Sequence, residues 1–100
     1  MKSESAQTSA PATNPFYFYN DVGSYADRSA SDLPSFASAL NNVNTRSIEF
    51  HMNRDDFEKW IRSLGNYALA SDIAKIKKKG LKGEALRSNL RDTVNKKLKR

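Results

Sequence analysis

A chain of 100 residues without cysteine has room for one small domain and no means of building disulfides, thiolate metal sites or a cysteine nucleophile. Its net charge of +6 is unevenly placed: residues 75–100 carry eleven Lys/Arg against two acids, while residues 1–74 carry six against nine. No apolar run approaches the ~20 residues of a membrane helix, so the sequence reads as a soluble, cytoplasmic chain whose basic end suits a polyanionic partner.

Residues 1–14, MKSESAQTSAPATN, hold no large apolar side chain after Met1 and read as a disordered tail without the apolar core of a signal peptide. The domain is expected over 15–100. Phe16-Tyr17-Phe18-Tyr19 predicts a strand with the Phe pair inward and the Tyr pair on the open face. Asn20 to Gly23 suit a turn, and Ser24–Ser29 a returning strand. Ser31 suits a cap, with Pro34 in the first turn of a helix whose stripe is Leu33, Phe36, Ala37, Leu40 and Val43. Between Arg46 and Met52 the apolar Ile48, Phe50 and Met52 alternate with Ser47, Glu49 and His51, which predicts a third strand packed on one face.

Asn53 is the expected cap of the next helix, with Asp55, Asp56 and Glu58 favourable near its positive end and Phe57, Trp60, Ile61 and Leu64 on its buried face. A further helix from Tyr67 carries Leu69, Ala70, Ile73 and Ile76 and stops at Gly80. The last, Glu84–Leu98, has Leu86, Leu90, Val94 and Leu98 at fours, a drifting stripe that predicts looser packing. The fold class is therefore α+β, a small two- or three-stranded sheet covered by helices in the order β-β-α-β-α-α-α.

Three pieces carry a family likeness: FYFYNDVGSY from Phe16 to Tyr25, SIEFHMNRDDFEKWIR from Ser47 to Arg62, and LKGEALR from Leu81 to Arg87. In them the chain resembles a family of small archaeal and bacterial domains of unknown function. The resemblance implies a compact prokaryotic domain in an archaeal setting and brings no activity with it. The Lys77-Lys78-Lys79 run and the very basic end depart from that pattern.

His51 is the sole histidine and is expected at the surface, two residues from Glu49, which is too sparse a set for a general base or a metal site. Gly80-Leu81-Lys82-Gly83 precedes a helix without a phosphate-loop pattern and reads as a turn, with backbone clamping of a phosphate as the alternative. Tyr17 and Tyr19 form a possible contact surface. The expected phosphate contacts are Lys77, Lys78, Lys79, Lys82, Arg87 and Arg91, with Lys96 and Lys97 beside Lys99 and Arg100 at the end. These features predict a binding module, not an enzyme, with no catalytic residue, metal or cofactor. The expected partner is nucleic acid or a ribonucleoprotein, with a protein–protein adaptor as the alternative.

Overall fold

The computed structural model describes residues 15–99, so the expected tail at 1–14 lies outside the described residues. Strand β1 (Phe16–Asp21) turns at Gly23, in the left-handed region at φ +75°, and pairs antiparallel with β2 (Ser24–Ala30). Phe16 lies opposite Ala30 and Phe18 opposite Arg28; beyond Phe18 the register shifts, next to Asp27 at φ 62°. A left-handed residue of this kind lets one strand bulge, and aspartate tolerates it better than most. Phe16 and Phe18 are buried while Tyr17 is exposed, as alternation along the strand requires.

Five helices follow: α1 (Leu33–Asn42), α2 (Thr45–Asn53), α3 (Asp56–Ser63), α4 (Tyr67–Lys78) and α5 (Gly83–Lys99). The α+β class holds, with a two-stranded sheet and the order β-β-α-α-α-α-α. Helix α1 starts one residue later than expected. Asp32 accepts the Ser35 N–H (2.9 Å), and the Ser35 hydroxyl oxygen accepts the Asp32 N–H (3.1 Å), a reciprocal capping box. The stripe from Leu33 to Val43 is buried throughout.

The expected third strand is helix α2 instead. Asn44 caps it by accepting the Ser47 N–H at 3.1 Å. Its buried face is Ser47, Ile48, His51 and Met52, which is helical spacing with two polar members. Those two explain the geometry. The outward edge of β1 at Tyr19 would otherwise leave a backbone N–H and C=O unpaired in the interior. His51 Nε2 accepts the Tyr19 N–H (2.7 Å), and the Ser47 hydroxyl donates to the Tyr19 carbonyl (2.8 Å). Side chains of α2 thus do for β1 what a neighbouring strand would do, and only a helix brings Ser47 and His51 to the same side as Ile48 and Met52.

Asn53 closes α2 and does not cap α3. The α3 cap position is Asp55, at φ 64° and without a side-chain cap bond, leaving Asp56 and Glu58 in the first turn. Phe18, Phe36 and Phe57 centre the core, with Phe18 and Phe36 stacked at 5.8 Å and Phe57 edge-on to Phe36 at 5.3 Å. Helix α5 packs against α1, α2 and α4. Leu86, Leu90 and Val94 are fully buried there, tighter than the drifting stripe suggests, because three helices surround it; Leu98 alone of the four is exposed.

Candidate nucleic-acid interface

Helices α4 and α5 fold back on each other across the short turn at 79–82, and Lys97 near the end of α5 reaches Asp72 on α4 at 3.7 Å. Asp72, Lys75 and Lys79 share one face of α4; Asn89, Thr93, Lys96 and Lys97 recur on one side of α5. These faces border a groove of about 420 Å³ with Ile76 in its wall. Four lysines therefore line one recess whose single acid, Asp72, is paired with Lys97. Lys75 and Lys79 are exposed, and Asn89 and Thr93 add neutral hydrogen-bonding groups between them and the α5 pair.

The other sequence-predicted cations are distributed elsewhere. Lys78 and Lys82 are exposed outside this groove. Lys77 turns to α3, donating to Asp55 Oδ1 (2.7 Å) and the Asn53 carbonyl (3.4 Å). That hydrogen bond from Lys77 holds the Asp55 carboxyl below its ordinary range. Arg91 lies about 200° round the helix from Asn89, off the groove, 3.5 Å from Asp92. Arg87 is committed inside the fold. Its Nη1 donates to the carbonyls of Leu40 and Val43, both at 2.7 Å, and its Nε to Glu84 at 2.8 Å. The guanidinium caps the C-terminal end of α1, where orphan carbonyls and the helix dipole favour a cation. The start of α5 is likewise filled from within, since Glu49 accepts the Gly83 N–H at 2.7 Å in the place a phosphate would take.

Tyr17 and Tyr19 line a second groove, of about 530 Å³, between β1 and the corner joining α2 to α3. Tyr25 lies against both rings, with centroids at 6.2 and 5.5 Å. Across the groove Arg54 sits over the Phe50 ring at 5.2 Å. Two of the pieces that carry the family likeness, Phe16–Tyr25 and Ser47–Arg62, meet here. The strand expected over Arg46–Met52 puts Phe50 in the core and His51 outside; here Phe50 borders the groove and His51 is buried.

His51 is buried, 3% exposed. A backbone N–H only donates, so Nε2, which faces the Tyr19 N–H, carries the lone pair and Nδ1 carries the proton. Nδ1–H donates to Asp56 Oδ2 at 2.8 Å, and Arg54 Nε donates to the same oxygen at 3.1 Å. Burial pushes the His51 pKa below its ordinary 6.5, against the raising effects of the Asp56 hydrogen bond and charge. Glu49 points to Gly83, so the two side chains considered together as an acid–base pair lie apart, and both His51 ring nitrogens are already engaged. Among the described residues no three His, Asp or Glu side chains gather as metal ligands, and no helix is long and apolar enough to cross a membrane.

The depressed pKa fixes the sign of a pH effect. The unfolded chain binds this proton more readily than the folded one, so stability is full above 6.5 and falls as pH drops through the lower folded value. Thermal melting between about pH 7 and pH 5, above the range where most carboxylates titrate, is expected to lose stability on acidification. His51→Gln is expected to lower the melting temperature at neutral pH and flatten that dependence. An equally steep profile in His51→Gln would contradict this assignment.

No curated protein and no solved structure matches this chain. Over residues 1–95 it matches the Family of unknown function (DUF5752), and it belongs to that family.

Proposed function

We propose that this protein is a small, non-enzymatic binding module of the archaeal cytoplasm that associates with nucleic acid, free or within a ribonucleoprotein, through the groove between α4 and α5. The observation that carries the reading is the convergence of Lys75, Lys79, Lys96 and Lys97, from two helices, over one recess with a single acid. Cations scattered over a surface are solvated individually. Cations on both banks of a groove raise the local potential and match the repeating charge of a phosphate backbone. Lysine is a flexible point charge, so binding tolerant of sequence follows, with no bidentate base readout. The exposed Lys78 and Lys82 extend the positive field beyond the groove.

The test is fluorescence anisotropy of a labelled oligonucleotide of about 20 base pairs at rising salt. Four groove lysines that each displace a counterion give a slope of log K against log salt of about −3 to −4. Absence of binding at low salt would end this reading and leave the adaptor role as its replacement.

A further inference from the structure

We infer that the groove between β1 and the α2–α3 corner is a subsite for an unpaired nucleobase and its phosphate, so that the chain prefers single-stranded to duplex nucleic acid. This inference rests on the nucleic-acid reading above and assigns a second contact to the same partner. The groove's volume, about 530 Å³, lies within the range of small-ligand sites. Tyr17, 51% exposed, and the half-buried Tyr19 and Phe50 present ring surface to it, and Trp60 lies at its base. Ring faces of this kind accept any base whose own faces are free, which is the state of a single strand and not of a stacked duplex.

Both acids of the groove are already engaged, so the charge left unanswered in its lining is positive. Asp21 is paired with Arg46, and Asp56 is taken by His51 and Arg54. Arg54 uses only Nε on Asp56, which leaves its terminal amino groups directed to no carboxylate among the described residues. Lys59 also lines the groove, exposed and without an ion pair among the described residues. The groove therefore joins stacking surface to the Lys59 ammonium and the terminal amino groups of Arg54, the pair of features a nucleotide satisfies with its base and its phosphate. An acidic peptide with an aromatic side chain would match this groove alone. Nucleic acid matches it and the lysine groove with one polymer.

The full chain, wild type and Tyr17→Ala, is titrated with oligouridylate and with a blunt duplex of equal phosphate number, and the emission of the single tryptophan, Trp60, is followed with uridine monophosphate. Tyr17 is largely solvent-exposed, so its truncation leaves the core intact, and Lys59→Glu serves as a second variant that removes charge without touching a ring. The expected result is tighter binding of the single strand than the duplex, a loss of about tenfold for the single strand in Tyr17→Ala, unchanged duplex affinity, and a Trp60 response to the nucleotide that Lys59→Glu weakens. Equal affinity for the two forms, or single-strand affinity unaltered in both variants, would overturn the inference while duplex binding kept the lysine groove in place. A Trp60 response to an acidic aromatic peptide and none to the nucleotide would assign the groove to a protein partner and overturn it as well. Failure of the wild type to bind either polymer would remove both readings.

Discussion

Replacing Lys75, Lys79 and Lys96 together by glutamate is expected to lower oligonucleotide affinity by about 10²-fold or more at low salt and to bring the salt slope close to zero. The reason is local. Four lysines and one aspartate line the groove; the triple variant leaves Lys97 against Asp72 and three new carboxylates, so a phosphate backbone meets repulsion along both banks. Lys75, Lys79 and Lys96 are exposed and contribute little to the core. They do sit near the C-terminal ends of α4 and α5, where a negative charge opposes the helix dipole at about 0.3–1 kcal/mol each. The corresponding triple glutamine variant separates the two effects, because it removes the cations without adding acids. Anisotropy titrations with thermal melting of both variants are the measurement. Undiminished affinity in the folded glutamine variant would place the interface elsewhere.

Arg87→Met is expected to destabilise the fold by about 2–4 kcal/mol and to leave nucleic-acid affinity nearly unchanged. The Arg87 side chain is 13% exposed, against 35% for Arg91 and 41% for Lys77. Both of its Nη1 contacts, to Leu40 and Val43, are short and reach across 47 and 44 residues of sequence. Methionine keeps the apolar stem but leaves two carbonyls at the end of α1 without their donor, and unmade bonds in a half-dry site cost more than the bonds contribute when made. Arg87→Lys is expected to fall between, since one ammonium reaches the carbonyls but not Glu84 in the same forked geometry. Denaturant unfolding with an unchanged m-value checks this. Preserved stability with lost binding would return Arg87 to the interface.

Most of the architecture was legible because the residues that decide it act locally. The Phe16–Tyr19 alternation, the Leu33–Val43 stripe and the Phe57–Trp60–Ile61 face carry their own period, and Gly23 and Gly80 mark turns with φ of +75° and +70°. Helix α2 was not legible as a helix, because its buried face contains Ser47 and His51. Hydropathy counts those as solvent residues, and their reason for burial is the edge of β1, some thirty positions earlier. With them discounted, Ile48, Phe50 and Met52 were left, and three apolar residues at alternate positions imitate a strand. Phe50 is in fact half-exposed in the aromatic groove.

The site was legible in charge and not in arrangement. Composition located the excess cation but not which helix faces oppose each other. Lys75 joins the groove although sequence reading gave it no contact, while Lys77, Arg87 and Arg91 drop out for reasons that lie on α3, on α1 and on the far side of α5. A wheel drawn for α5 alone places Arg87 and Arg91 together as a cationic face. It contains nothing of the α1 carbonyls that draw Arg87 inward. Tyr17 is exposed and Tyr19 half-buried, both off the core face of β1 as alternation predicts, and the rim that makes them a groove, Arg54 and Lys59, comes from the α2–α3 corner, where the sequence predicts a strand in place of α2.

Amide chemical-shift mapping of the isotope-labelled chain with a short DNA duplex tests the interface most directly. Shifts that grow with duplex concentration and centre on Lys75, Lys79, Asn89, Thr93, Lys96 and Lys97, with Leu40, Val43 and Arg87 quiet, are the expected result. Shifts confined to α1 and the Arg87 face, or none at low salt, would contradict it.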